Sequence, residues 1–279
     1  MNTPLFSILI ANYNNGLYLS EALDSVYQQT YENWEIIIVD DSSSDQSSDI
    51  YQTLNKDKRI KIIYNDKNQG AGYTKKRCVD NATGSICGFL DPDDALANDA
   101  LEKMIKAHSI KPSASLIYST SYRCDEHLNI IQRNDAPRKI KDNDPYFFNM
   151  EGSISHFASF KKDSYMQTVG IDPYLQRAVD QDLYLKLYEV GETHYIDEAL
   201  YYYRIHKGGI STNKNIEKAY YWHWVVLIET GKRRGLNLED LFCETFIRKS
   251  EYDTLENKYL RLKKFEKINS YLGNLRRKL

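Results

Sequence analysis

The sequence predicts an α/β protein whose mostly parallel sheet is flanked by helices. Over residues 6–119, short and almost continuously apolar runs alternate with segments of helical spacing. Such runs are typical of parallel strands that are covered by helices on both faces. Polar clusters follow the first, second and fourth runs, at Asn12-Tyr13-Asn14, Asp40-Asp41 and Asp91 to Asp94. Because ligands bind at the carboxyl ends of parallel strands, these clusters predict the place of the functional site.

Each element has a local signal. Strands are predicted at Phe6 to Ala11, Trp34 to Val39, Ile60 to Tyr64, Ile86 to Leu90 and Leu116 to Ser119. Helical spacing links Leu19, Ala22, Leu23, Val26 and Tyr27, and further helices are predicted over Thr74 to Ala82, Ala97 to His108 and Asp182 to Tyr188. Between them the pattern predicts a hairpin over 117–132, a polar loop over 134–145 and a strand near Ser155 to Phe160. Beyond Ser211 the chain is predicted to be helical.

Composition excludes several classes of protein. The 279 residues are 42% hydrophobic and 27% charged, with no apolar run of 18 residues, which argues against a disordered chain and an integral membrane protein. The first residues lack a basic region and a cleavage site, so we expect a cytoplasmic protein. The four cysteines form no CxxC pair, so neither a zinc cage nor a disulfide framework is indicated. A net charge of −2 argues against general nucleic-acid binding.

The turn Asp91-Pro92-Asp93-Asp94 concentrates three carboxylates within four residues. Such a cluster repels itself unless a hard cation or a helix N-terminus offsets the charge. Magnesium or manganese together with nucleotide phosphates fits this chemistry best. Capping of the helix predicted after Leu96 is the alternative.

The segment Gly70-Ala71-Gly72-Tyr73-Thr74-Lys75 begins like the dinucleotide fingerprint GxGxxG. Lys75 stands where the third glycine would allow close helix packing, so a dehydrogenase is not favoured. Lys75 and Arg77 fit either contact with a diphosphate or an ordinary solvated helix face.

Two further positions carry possible chemistry in the second half of the chain. Asp180 begins a predicted helix, where a carboxylate serves as a cap or, beside an acceptor hydroxyl, as a general base. His206 precedes two glycines and fits a phosphate or metal contact, although a lone loop histidine is commonly unremarkable.

Taken in order, these segments resemble family 2 glycosyltransferases of the GT-A fold, which are inverting enzymes that use nucleotide-diphosphate sugars, often in bacterial surface-polysaccharide synthesis. The resemblance covers about residues 5–211. It is carried by Phe6 to Asn14, Leu23 to Tyr31, Trp34 to Ser43, Asn68 to Lys75, Gly84 to Asp94 (GSICGFLDPDD), Ala178 to Leu183 and Tyr203 to His206. We therefore expect a catalytic domain at 1–211, with a nucleotide-binding part at 1–119 and an acceptor-binding part at 120–211, and a helical extension at 212–279.

The resemblance implies a role for each matching residue. Ala11, Tyr13 and Asp40 would line the nucleobase pocket with Asp41 close by, Lys75 would stand near the nucleotide in place of the family's arginine, and Arg204 and His206 belong to the loop that closes over the diphosphate. Asp91 would face the ribose and the metal, Asp93 would bind Mg²⁺ or Mn²⁺, and Asp94 would support or share that role, with His206 as a further ligand. Asp180 would be the general base, and the donor is expected to be a UDP-sugar.

The chain departs from the family pattern at several positions. Asn12 replaces the usual threonine, Ser85 and Cys87 alter the family's G-E-Y-I signature, and Val179 replaces the glutamate before the base. The last change removes one acceptor contact. The identity of the saccharide or lipid-linked acceptor therefore cannot be carried over from the family to this chain. A nucleotidyltransferase and a non-catalytic sugar-binding or scaffold protein on the same fold are the alternative functions.

The C-terminal segment combines positive charge with apolar residues at helical spacing. Residues 248–279 contain ten Lys and Arg against four acids, and apolar residues recur at Leu255, Leu262, Phe265, Tyr271, Leu272 and Leu275. This pattern fits packing on the catalytic domain or on a second copy in a homodimer. It also fits peripheral contact with anionic lipid, where the helix would meet a lipid-linked acceptor.

Overall fold

The computed structural model describes residues 3–54, 56–209, 215–245, 250–251 and 254–264. Its strands are β1 (Phe6–Asn12), β2 (Trp34–Asp40), β3 (Ile60–Tyr64), β4 (Ile86–Phe89), β5 (Ala95–Leu96), β6 (Ala114–Cys124), β7 (Ile130–Arg133), β8 (Ala158–Lys161) and β9 (Glu192–Arg204). Its helices are α1 (Gly16–Tyr27), α2 (Ser47–Leu54), α3 (Ala71–Asn81), α4 (Ala100–Ile110), α5 (Lys162–Met166), α6 (Val179–Tyr188), α7 (Ile216–Arg234) and α8 (Glu239–Thr245).

One mixed sheet runs through the protein in the order β3-β2-β1-β4-β8-β6-β9-β5, with β7 paired to β6. The first four strands are parallel, and β6 is again parallel to β9, whereas β8 is antiparallel to both of its neighbours. The register sets Phe6 opposite Trp34 and Asn12 opposite Asp40, so β1 and β2 end together. The prediction of an α/β fold with a mostly parallel sheet is confirmed.

Apolar side chains cover both faces of the central strands. Ile10 and Ile38 belong to one buried cluster with Leu19 of α1 and Leu101 of α4. Leu9, which points to the opposite face, is also fully buried, and α3 packs against β1 and β2. Burial on both faces explains why these strands are continuously apolar in sequence.

Two glycines allow α3 to begin three residues before the predicted start. Gly70 precedes the helix at φ 91°, in the left-handed region that favours glycine. Gly72 lies against the loop before α6 and donates its N–H to the Leu175 carbonyl at 2.7 Å. A side chain at Gly72 would lie 2.4 Å from the Asp172 carbonyl oxygen, so the close approach requires glycine.

The second half of the chain differs most from the local pattern. β6 continues five residues beyond the predicted end at Ser119, and its polar residues Ser119, Thr120 and Ser121 are buried beside β9. The predicted hairpin is present as β6 and β7, and the predicted helix near Asp182 is α6.

The chain divides into two compact units, Met1–Thr230 and Gly231–Leu279, and the division falls within α7. In the second unit, Leu255 and Leu262 of the basic segment are 54% and 64% exposed. Phe265, Tyr271, Leu272 and Leu275 lie outside the described residues. No described helix has both the length and the apolar character needed to cross a membrane.

Candidate active site

A cavity of about 430 Å³ opens at the carboxyl ends of β1, β2 and β4, a volume in the range of small-molecule sites. Its wall includes Ala11, Asn12, Tyr13, Asp41, Lys75, the turn from Asp91 to Asp94, His156, the segment from Gln176 to Asp180, Tyr203, Arg204, Gly208 and Gly209. The three polar clusters that follow the apolar runs in sequence therefore meet at one edge of the sheet.

Asp41 fixes one side of the cavity. Its carboxylate accepts hydrogen bonds from the Asn65 side chain at 2.7 Å and from the backbone N–H groups of Gln69 and Gly70, each at 2.8 Å. Asp41 thereby ties the loop before α3 to the end of β2. Ala11 and the half-exposed Tyr13 line the same region of the cavity.

Asp40, unlike the adjacent Asp41, is held away from the cavity. Its carboxylate accepts hydrogen bonds from Tyr51 at 2.6 Å, Asn12 at 3.2 Å and the Ser43 backbone at 2.8 Å. Asp40 is buried and does not line the cavity. Burial and the adjacent Asp40 carboxylate raise the pKa of Tyr51, which stays protonated as the donor. The geometry gives Asp40 the role of holding β1, β2 and α2 together.

Lys75 lies between two acidic residues from distant parts of the chain. Its ammonium is 3.0 Å from Asp91 Oδ1 and 2.7 Å from Asp180 Oδ1, and its side chain is 9% exposed. Burial opposes the charge, but Asp180 and Asp91 outweigh it and raise the pKa of Lys75. The interpretation of Lys75 as part of a solvated helix face is wrong, because the side chain is buried and doubly paired.

Asp91 remains ionised for the complementary reason. Burial favours the protonated carboxyl, but the Lys75 ammonium and, secondly, His156 lower its pKa.

His156 faces the other oxygens of the same carboxylates, and sequence reasoning missed it. Its Nε2 is 3.7 Å from Asp180 Oδ2 and 3.9 Å from Asp91 Oδ2. Its only signal in the sequence is a lone histidine within the strand predicted near Ser155 to Phe160, since its partners lie far away along the chain. Among the described residues, Asp91, His156 and Asp180 form a group of three side chains with the donor atoms for a metal ion. These donor atoms lie within 4.8 Å of one another.

Asp93, which lines the cavity, pairs with His206. His206 Nε2 lies 2.8 Å from Asp93 Oδ2, and the imidazole packs edge-to-face on Tyr18 at 4.9 Å between ring centroids. One carboxylate oxygen and one imidazole nitrogen are thus in contact at the acidic turn.

Arg204 holds the acidic turn in place. Its backbone N–H donates to Asp94 Oδ1 at 2.7 Å, and its guanidinium donates to the Asp93 carbonyl, the Glu126 carbonyl and Glu21 Oε2. Burial and the neighbouring Asp93 and Asp91 raise the pKa of Asp94 well above its usual range. Asp94 lines the cavity but is only 2% exposed, and its carboxylate joins the turn to β9.

The acidic turn does not cap a helix. Asp94 is followed by β5, and α4 begins only at Ala100. Capping therefore fails as an explanation for the three acids, because the macrodipole acts only within the first turn of a helix.

Comparison with known proteins agrees with this fold. The family profile described as Glycosyl transferase family 2 matches residues 7–168. TuaG of Bacillus subtilis, a glycosyltransferase assigned to teichuronic acid biosynthesis, is 29% identical over 76% of this chain and 83% of its own length. Chondroitin synthase of Escherichia coli is 31% identical over 84% of this chain, which spans only 33% of that protein.

A solved structure shares the fold at low identity. Residues 1–349 of TarS from S. aureus, solved in complex with UDP-GlcNAc, match with a TM-score of 0.62 and 19% identity over 80% of this chain and 66% of that chain. The architecture is thus that of the GT-A class of sugar-transferring enzymes. This chain belongs to glycosyltransferase family 2 and is a glycosyltransferase of the surface-polysaccharide type.

Proposed function

We propose that this protein transfers a sugar from a UDP-sugar to a saccharide or lipid-linked saccharide, with inversion at the anomeric carbon and Asp180 as the general base. The carrying observation is the placement of Asp180 on the cavity wall beside the acidic turn, joined to it through Lys75. The proposal assigns the base, the metal-binding residues and the nucleotide region to separate parts of one cavity.

The contacts of Asp180 support its role as the base. Lys75 holds Oδ1, which leaves Oδ2 to receive the proton of an acceptor hydroxyl. The acceptor oxygen then attacks the anomeric carbon as the bond to the diphosphate breaks and the nucleoside diphosphate leaves with its electron pair. A single displacement of this kind inverts the anomeric centre.

The donor atoms at the acidic turn fit Mg²⁺ or Mn²⁺. Asp93 and His206 supply a carboxylate oxygen and an imidazole nitrogen in contact, and Asp91 lies on the same turn. When bound there, the cation would offset the charge that develops on the diphosphate. Asp94 and Arg204 keep this turn in position. The group Asp91, His156 and Asp180 is less suited to a cation, because the Lys75 ammonium already contacts both carboxylates.

The choice of nucleotide rests on the loops after β1, β2 and β3. Ala11 and Tyr13 offer an apolar surface for a base, and Asp41 orders the loop that closes this region. The solved UDP-GlcNAc complex of TarS supports uridine as the base in this proposal.

Nucleotide binding and turnover in Asp180→Asn test the proposal together. Melting temperature is measured with UDP, GDP, dTDP and CMP, each with and without Mn²⁺, since a ligand of the native state raises it by mass action. We expect a metal-dependent rise with UDP in the wild type and in Asp180→Asn. UDP release from UDP-GlcNAc and UDP-glucose is expected to fall by at least about 10²-fold in Asp180→Asn, and to be unchanged in the exposed control Asp49→Asn. Wild-type turnover by Asp180→Asn would contradict the assignment of the base.

A further inference from the structure

We propose that His156 is a catalytic residue that holds the acceptor oxygen against Asp180, an inference that rests on the proposed function. Lys75 and His156 lie against opposite edges of the same carboxylate pair. Lys75 contacts the Oδ1 atoms of Asp91 and Asp180, whereas His156 Nε2 faces their Oδ2 atoms. The oxygen of Asp180 that is left to accept a proton is therefore the one that faces His156.

The gap between His156 and Asp180 suits one oxygen atom. The 3.7 Å between Nε2 and Oδ2 is too long for a direct hydrogen bond. An oxygen beside both atoms can lie about 2.8 Å from each, within the usual range of hydrogen bonds. Both residues line the cavity, so a hydroxyl that enters it can reach this position.

The imidazole ring is held in a fixed orientation. It stacks on Tyr201 with 5.1 Å between ring centroids and a 22° angle, and its side chain is only 15% exposed. Nδ1 lies 3.4 Å from the hydroxyl of the buried Tyr184. If this hydroxyl donates to Nδ1, the ring hydrogen is on Nε2, and we assign this tautomer from the contact. Nε2–H then points a donor at the acceptor oxygen.

The resulting step balances without another reactant. The acceptor O–H donates its proton to Asp180 Oδ2 while Nε2–H donates a hydrogen bond to one lone pair of the same oxygen. The other electron pair forms the bond to the anomeric carbon, and the diphosphate departs with the electrons of the broken C–O bond. His156 keeps its proton throughout and fixes the direction of attack. Orientation of this kind contributes a large part of the rate enhancement when reacting groups are held in place.

The neighbours of His156 point to the acceptor rather than the donor. Apart from Asp91 on the acidic turn, its contacts are with Asp180 and Tyr184 of α6 and with Tyr201 of β9, all from the second half of the chain. Ala11, Tyr13 and Asp41, which line the proposed nucleotide region, belong to the first two strands and their loops.

Substitutions at His156 test this role in the full chain, with UDP-GlcNAc and UDP-glucose as donors, Mn²⁺ present and water as the acceptor. We expect His156→Ala to lower kcat for UDP release by about 10²-fold, the lower range for a positioned proton-transfer partner. The dissociation constant for UDP, measured by calorimetry, should change by less than about twofold, since no donor contact is lost. His156→Gln, whose amide N–H replaces Nε2–H, should recover at least about tenfold of the lost kcat, and the exposed control His127→Ala should behave as wild type.

The outcomes separate this inference from the proposed function. Wild-type kcat in His156→Ala would overturn the inference, as would an equal loss in the Gln and Ala variants or a loss of UDP affinity that matches the loss of kcat. In each case a wild type that binds UDP and releases it from the donor leaves the proposed function standing. A wild type that neither binds UDP nor consumes either donor would overturn both.

Discussion

At the scale of single residues, Lys75 and its neighbour Lys76 have the same chemistry and opposite surroundings. Lys75 points into the cavity between Asp91 and Asp180, whereas Lys76 is 38% exposed and pairs with Asp80 one helical turn away. Removing a buried partner leaves uncompensated charge in a poorly solvated site, whereas removing an exposed partner costs little. The two lysines therefore allow a buried ion pair and an exposed one to be compared within the same helix.

Lys75→Met is expected to lower the free energy of unfolding by about 2 to 4 kcal/mol, because it leaves two partly buried carboxylates without their counterion. Lys76→Met should change it by less than about 0.5 kcal/mol. Urea unfolding at pH 7, followed by circular dichroism, measures both values. Equal stability of the two variants would show that Lys75 does not carry the ion pairs described here.

The acidic turn and His156 differ in how far the sequence alone reveals their place in the site. Asp91, Asp93 and His206 could be predicted because a short motif places each of them at the end of a strand or in a loop. His156 could not, since its link to Asp180 exists only after β8 and α6 have packed. Asp40 and Asp41 are adjacent and chemically identical, and only the hydrogen bonds of Asp40 to Tyr51 and Asn12 reveal that it does not line the cavity.

At the scale of elements, the approach of α3 to the loop over residues 172–175 positions one wall of the cavity. The N–H of Gly72 donates to the Leu175 carbonyl, and the next residues along the chain, Gln176 to Asp180, which lead into α6, line the cavity. A helix and a loop that are about a hundred residues apart in sequence are thus joined through a backbone contact that only glycine permits.

Gly72→Ala is expected to destabilise the protein by about 1 to 3 kcal/mol, because its new methyl group would overlap the Asp172 carbonyl oxygen. The sign of the stability change is informative, since a Gly→Ala substitution at an open helix position raises the free energy of unfolding by up to about 1 kcal/mol. Thermal unfolding gives the sign, and the rate of UDP release reports displacement of Asp180. Tyr73→Ala, at a partly exposed position of the same helix, is the control, and a stabilised Gly72→Ala protein would contradict the close approach.

Elements with local signals could be predicted, and elements defined by distant pairing could not. β1, β2 and β4 are apolar runs bounded by turn formers, so their existence and order followed from the chain alone. β5 has only two residues and exists because it pairs with Tyr201 and Tyr202 of β9. β6 was predicted too short because Ser119, Thr120 and Ser121 are polar, although their hydroxyls are buried beside β9.

At the scale of the whole molecule, a buried histidine links global stability to pH. His108 on α4 lies 3.0 Å from the Ser159 hydroxyl of β8, and its Nδ1 has no hydrogen-bond partner among the described residues. Burial and, secondly, the nearby Lys161 lower the pKa of His108 to about 3. His194 adds a smaller effect in the same direction. Folding therefore keeps this imidazole neutral.

The sign of the effect follows from proton binding. His108 in the unfolded chain binds a proton near pH 6.5, but the folded protein does not bind it until about pH 3. Its contribution to stability is complete above pH 6.5 and declines as the pH falls, with a slope of about 1.4 kcal/mol per pH unit between pH 6 and 4. Asp94 acts in the opposite direction, since its raised pKa makes the folded state bind a proton more readily as the pH falls.

Comparison of the wild type with a His108 variant separates the contribution of His108 to the pH dependence of stability from that of Asp94 and the other acids. We expect the free energy of unfolding of the wild type to fall more steeply between pH 6 and 4 than that of His108→Gln, which keeps a hydrogen-bonding side chain but does not titrate. The control His127→Gln, at a side chain that is 76% exposed, should follow the wild-type curve. Urea unfolding at half-unit pH intervals gives the three curves. Parallel curves for the wild type and His108→Gln would mean that His108 takes up a proton without unfolding, and that the contact between α4 and β8 is looser than its buried geometry implies.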